Sequence, residues 1–374
     1  MTTATPTGRP PVDLRSPAQL LAALPYLIGF RPANSVVLLG HRAPAGNRLG
    51  LVLRGDLPRR EDRAHQARAL APRFALAPHT GVTLVVVGGR RRPGSPPPHA
   101  GFVELLAEAL GEFGLPVPHA MWTADISERA PWGCYADPDC GGELPDPRAT
   151  LTAAVATGDG SVAFDSRDEL EELLVPRSPE ALARRAGSLA RLSSLPWPDA
   201  TSVSEAASAI RAAFERRLRG SGPPTDEEAV LLASALTLPE IRDMCLGMAV
   251  PPHTPVAREA ERLWLTLVRE LPAPHRAEAA TLLGYTAFMR GDGTFAGMAL
   301  ENALAAKPDH VLAGLLKTVL DRGMPPDQLL GLALTADPTG LSGFGLTPAD
   351  FDEPGVCLPL GVACGRSEVP GDQP

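Results

Sequence analysis

Four charged side chains and one hydroxyl stand where a sheet would gather them. Arg54 and Asp56 lie two residues apart at the end of an apolar run, residues 49–54. In a strand that spacing puts both on one face. Charges at the carboxyl ends of α/β strands stand where such sheets bind ligands. Asp125 ends a second run, residues 119–125, in the same way. Two carboxylates and an arginine gathered there would bind a polar ligand or move a proton. The plainer reading, and the preferred one, is an ion pair closing the sheet edge, with Asp125 as a turn or helix cap. Arg31 and Ser35 lie in the segment GFRPANS, residues 29–35. Arg31 offers an anion a bidentate fork, and Ser35 is a nucleophile if a base stands near. No Gly-x-Ser-x-Gly elbow surrounds Ser35. A turn in which Asn34 or Ser35 bonds local backbone is therefore preferred.

A second group sits between residues 132 and 140. Trp132 and Tyr135 lie close together in a chain with only 5% aromatic residues. They would line a pocket or interface, or pack in the core, and core packing is favoured. Cys134 and Cys140 flank Asp137 and Asp139. Zinc sites need four ligands and usually closer pairs, and His119 is the nearest histidine. Unlinked thiols in a turn are the favoured reading, with a weak metal site or a reversible disulfide as the alternatives. No cofactor is expected. The sequence has no Walker A loop, no Gly-x-Gly-x-x-Gly and no His-Glu-x-x-His. Gly88 and Gly89 follow an apolar run as a phosphate loop would, but arginines and prolines come next instead of a helix start.

Strands and helices must position these groups. Residues 35–40, 49–54 and 82–87 read as buried strands, the last β-branched and apolar on both faces. Residues 119–125 read as another, and 132–140 as a further strand and turn. Helical spacing runs through 60–75 and 101–113. Before the first strand, Ser16 and Pro17 open a helix that Gly29 stops, with Pro25 expected to kink or split it. Strands alternating with helices predict an α/β domain over 11–150, a layered mixed sheet with helices.

Past residue 150 the signal is all-α. Capping-box patterns at Ser166, Thr225 and Thr237, and Ser-Pro or Thr-Pro starts at Ser178 and Thr254, predict helices near 166–174, 178–192, 200–219, 225–236, 238–248 and 255–270. Further helices are predicted near 275–290, 294–306, 309–322 and 326–334. This gives a helical domain over 151–335. Between residues 277 and 308, Ala280, Leu283, Gly284, Gly291, Ala296, Leu300, Ala303 and Pro308 fall where a tetratricopeptide repeat places small, apolar and closing residues. A lone antiparallel helix pair is the preferred alternative. Residues 1–10 and 336–374 are expected to be irregular or disordered.

Composition narrows the function classes. The 44% apolar content supports packed cores. A formal net charge of -8 repels phosphate backbones, so no nucleic-acid partner is expected. The one dense basic run, Arg90 to Arg92, reads as a solvated loop. No secretory leader and no run of about 18 apolar residues is visible, so no membrane association is expected. Five cysteines, an odd and sparse set, suit a reducing cytoplasm.

A family resemblance rests on several stretches. LRSPAQLLAALPYLIGFRPANS from Leu14 to Ser35 resembles the opening of the actinobacterial domain-of-unknown-function family 4192. The likeness continues through residues 53–58 (LRGDLP) and 132–140 (WGCYADPDC), then Ile241 to Asp243, Leu263 and Trp264. It ends with residues 282–293 and 299–308, and so covers nearly the whole chain. Where relatives of that kind carry another cysteine after Cys140, this chain has Gly141, which counts against a shared metal site. The resemblance implies relatives and no assigned activity. The resulting expectation is a non-catalytic cytoplasmic protein that binds a protein partner through its helical domain or senses a small ligand. The alternative is an enzyme or ligand-binding protein using Arg31, Arg54, Asp56 and Asp125 at the strand ends. Self-association through apolar helix faces is open.

Overall fold

The computed structural model describes residues 16–42, 48–92, 94–158, 162–192, 201–220 and 222–334, together with Phe344. The expectations for residues 1–10 and for the tail after residue 335, Phe344 aside, lie outside the described residues. So do Cys357 and Cys364.

Helix α1 (Pro17–Ile28) opens the chain and ends on Gly29, whose φ of 86° only glycine adopts readily. Pro25 does not split it. The Ser16 side chain makes no capping hydrogen bond, so Pro17 at the first turn does the opening. The sheet then forms from β1 (Ser35–Arg42), β2 (Arg48–Asp56), β3 (His79–Val87), β4 (Ala120–Thr123), β5 (Pro131–Cys134) and β6 (Gly141–Glu143). These six lie in the order β2-β1-β3-β4-β5-β6. Only β3 and β4 pair in parallel, so the sheet is mixed. The strand signals place the sheet correctly, and β3 is central as its two apolar faces require.

Alternation along the strands builds two cores. Val36, Leu38, Leu84 and Val86 face α2 (Arg63–Leu70), Phe74 and α3 (Ala100–Gly111). Val37, Leu39, Val85 and Val87 face Leu20, Leu21 and Leu24 of α1. Glycines appear in β1 and β2 for a packing reason. A Cβ on Gly40 or Gly50 would come 2.5 Å from the His79 ring, which lies across both. His79 Nδ1 donates to Phe74 O at 2.8 Å, and its Nε2 accepts from Leu51 N–H at 3.2 Å.

Helix α4 (Leu151–Gly158), absent from the sequence expectations as a discrete helix, packs on α1. Helices then follow as α5 (Arg167–Glu172), α6 (Pro179–Leu192), α7 (Thr201–Leu218), α8 (Asp226–Ala235), α9 (Pro239–Gly247) and α10 (Pro255–Glu270). The last are α11 (Arg276–Met289), α12 (Gly293–Ala306), α13 (Val311–Asp321) and α14 (Leu330–Leu334). Thr225 and Glu228 form the full capping box expected of them, and Ser166 and Thr254 cap as read. Thr237 does not cap: Leu238 holds that position, and the Thr237 hydroxyl bonds Ser234 O instead. The helix starts one residue later because Pro239 takes its first turn.

The helical core centres on Trp264, with Phe214 edge-on at 6.0 Å. Within it α11 and α12 form a close hairpin. Gly284 permits the approach, since a Cβ there would lie 2.7 Å from Leu300 Cγ. Ile28 and Phe30 insert into this same core, tying the end of α1 to the helices. Among the described residues, no helix is long and apolar enough to cross a membrane.

Candidate functional site

Register brings the predicted strand ends together. Ser35, the first residue of β1, lies opposite Asp56 on β2 and Val87 on β3. Val87 in turn lies beside Thr123 on β4. The segment from Phe30 to Asn34 therefore enters the sheet at the carboxyl ends of β2, β3 and β4, where α/β sheets hold ligands. Gly88 follows β3 at φ 121°, and a Cβ there would lie 2.9 Å from Asn34 Oδ1.

Around Ser35 the arrangement is a closed network. Its hydroxyl is fully buried, donates to Ala33 O at 2.7 Å and accepts from Arg54 Nε at 2.9 Å. Arg54 also pairs with Asp56 at 2.6 Å, and its guanidinium lies 5.7 Å over the Phe30 ring. Among the described residues no base bonds the Ser35 hydroxyl, so the geometry gives it no nucleophilic role. Arg54 and Asp56 share a face, as their spacing of two requires, and close the sheet end as an ion pair.

Arg31 and Asp125 meet separately. Their charged atoms are 3.9 Å apart, and both side chains are nearly half exposed, at 42% and 45%. Such a pair is loose and weak. Asp125 turns its backbone carbonyl to the Thr123 hydroxyl at 2.8 Å. Arg31 is fixed by its backbone: its N–H donates to Phe164 O, and Phe164 N–H donates to Gly29 O. This bridge between Phe30 and Phe164 lays residues 163–165 alongside the end of α1.

A half-open cleft of about 320 Å³ lies beside that bridge. Its polar lining includes Ser127 as well as Tyr26, Arg31, Glu128, Asp146, Arg148 and Asp165. Ile126 and Phe164 supply apolar wall. Asp146 accepts from Arg148 N–H at 2.9 Å and so caps the short 3-10 turn Pro147–Ala149. Asp165 uses its backbone N–H to hold Glu169, and its side chain is exposed. Among the described residues neither Arg148 nor Asp165 has an ion-pair partner within 4.0 Å. Burial raises the Tyr26 hydroxyl above its ordinary pKa, with nearby Arg148 opposing and Asp146 adding. Of the predicted residues only Arg31 lines this cleft. Glu128, Asp146, Arg148 and Asp165 carried no motif, and Tyr26 lay within the stretch quoted for the family resemblance without being singled out. The one sequence signal was Asp146 before Pro147, a cap pattern.

Trp132 and Tyr135 do not share a pocket. Trp132 packs on the α1 side of the sheet and Tyr135 on the α3 side. The Tyr135 hydroxyl donates to Pro98 O at 2.5 Å, and burial pushes its pKa well up. Cys134 and Cys140 lie paired with Cα atoms 5.5 Å apart, the arrangement of the disulfide that was the alternative to unlinked thiols. They meet because the β5–β6 turn brings the two residues face to face, Cys134 N–H donating to Cys140 O. Among the described residues no group of three or more His, Cys, Asp or Glu is placed to hold a metal.

A mixed six-stranded sheet layered with helices, followed by a helical region, defines the protein class here. The family model described as "Domain of unknown function (DUF4192)" matches residues 17–327, and the chain belongs to that family. No curated protein and no solved structure matches it.

Proposed function

We propose that this is a non-catalytic cytoplasmic protein that senses a small polar ligand held in the cleft beside Arg31. One observation carries the reading. A cleft of about 320 Å³ falls at the low end of the 300–1,000 Å³ range of small-molecule sites and is lined by charges that have no full set of protein partners. The closed network at Ser35 supports binding over covalent chemistry, because its hydroxyl is already committed on both sides. The Phe30–Phe164 bridge supports sensing, since it joins the cleft wall to Phe30, which is itself part of the helical core.

The test is a thermal-shift screen of the purified protein against nucleotides, sugar phosphates, amino acids and divalent metals. A ligand at 100 times its dissociation constant adds about 2.7 kcal/mol and raises Tm by several degrees. The expected result is a hit that Arg31→Leu removes while its own Tm stays near wild type. A panel in which every hit survives Arg31→Leu contradicts the reading.

A second reading is a protein partner taken by the helical region. Val311 and Leu315 favour it: they lie one turn apart on α13 and are 75% and 60% exposed. The tetratricopeptide-like hairpin of α11 and α12 precedes that helix. A partner captured equally well by wild type and by a V311E/L315E variant would rule that face out.

A further inference from the structure

The cleft proposed above as the ligand site has an unusual charge arrangement, and the inference rests on that proposal. Two guanidiniums, Arg31 and Arg148, and three carboxylates, Glu128, Asp146 and Asp165, border one small volume. In an ordinary surface ion-pair network these groups would neutralise one another. Here they do not. Among the described residues, the acid within 4.0 Å of Arg31 is Asp125 at 3.9 Å, which is not part of the cleft lining. Among the described residues, the cation within 4.0 Å of Glu128 is Arg129, also outside the lining. Asp146 spends one oxygen on a backbone N–H.

A ligand with one kind of charge cannot answer this lining. An anion would meet two cations but also three carboxylates. A cation would meet the reverse. A molecule carrying both charges a few bonds apart satisfies both sets. A carboxylate suits the planar fork of an arginine, and an ammonium with three donors suits carboxylate oxygens. The Tyr26 and Phe164 rings, with Ile126 buried beside them, give a short apolar or aromatic substituent a surface. The volume is of the order needed for one molecule of amino-acid size.

We infer that the cleft binds a zwitterionic small molecule of the α-amino-acid class, its carboxylate on Arg31 and Arg148 and its ammonium among Glu128, Asp146 and Asp165. The experiment is isothermal titration of the full chain with the twenty common amino acids at up to 10 mM. It is repeated with the decarboxylated amine and the deaminated acid of the best binder. The expected result is saturable binding of at least one amino acid. Both single-charge analogues should bind at least tenfold more weakly. Arg31→Leu and the double variant E128Q/D165N should each weaken binding at least tenfold, with Asp146 left intact because it caps a turn.

Two results overturn the inference and are distinguishable. If the amine, the acid or a phosphate compound binds the cleft as well as the amino acid, and Arg31→Leu still removes it, the zwitterion falls and the ligand site stands. If neither the amino acids nor the wider panel bind in an Arg31-dependent way, the site falls too.

Discussion

Arg54 Nε lies 2.9 Å from Ser35 Oγ, bridging β2 to β1 at the buried end of their pairing. The serine hydroxyl passes its own hydrogen to Ala33 O. Arg54 and Ser35 thus form a brace that orients the segment carrying Arg31. Ser35→Ala leaves a mostly buried guanidinium N–H without its acceptor. The expected cost is about 1–3 kcal/mol, the penalty for an unsatisfied buried polar group. Urea denaturation measures it. Ligand affinity per folded molecule should stay within threefold of wild type, and a complete loss of binding would show that Ser35 touches the ligand.

Acid should weaken the fold through His79. Burial lowers its pKa below the ordinary histidine value, and Arg42 adds to the shift while hydrogen bonds to Phe74 and Ala77 oppose it. Its Nε2 accepts a backbone N–H, which a protonated ring cannot do. The folded state therefore favours the neutral ring, and the unfolded state binds the proton more readily. That contribution to stability is fully present above the unfolded pKa of about 6.5 and is lost as pH falls towards the folded pKa. His41 shifts in the same direction, also mainly through burial. Denaturation midpoints at pH 7.5 and 5.5 should show the loss, and His79→Gln should shrink the difference. An unchanged difference would remove His79 as a source.

Two helical glycines should respond oppositely to alanine. At Gly284 a Cβ would sit 2.7 Å from Leu300 Cγ and 3.3 Å from Ala296 O. Gly284→Ala should destabilise by about 1–3 kcal/mol, as overpacked cores do. At Gly314 on α13 no atom lies within 4 Å of the new carbon. Gly314→Ala should be neutral or stabilise by up to about 1 kcal/mol from helix propensity. Thermal melts of both variants check the contrast, and equal effects would contradict the packing of α11 on α12.

Strand and helix signals were legible because they are periodic. Val82 to Val87 predicted the centre of the sheet, and the Thr225 box predicted the start of α8. The spacing of Arg54 and Asp56 also gave their shared face directly. The Thr237 pattern misled because the cap rule tolerates a one-residue slip that only the path of Ser234 to Pro239 decides. Most of the cleft was invisible for another reason. Tyr26, Glu128, Arg148 and Asp165 come from four separate segments, three of them outside any α-helix or strand, and meet only after Phe164 bridges to Gly29 and Arg31. Pairing that distant has no local spacing. By contrast, the spacing of three between Trp132 and Tyr135 does put them on opposite faces of a strand, as the two cores show, so a shared pocket was not to be expected of them.

The central claim is that the cleft beside Arg31 holds the ligand. Hydrogen exchange read by mass spectrometry, with and without a saturating concentration of the amino acid that gives the largest thermal shift, locates binding directly. Protection should concentrate in residues 26–31, 126–128, 146–148 and 163–165. Protection confined to α13, or spread without any at those four segments, would contradict the claim.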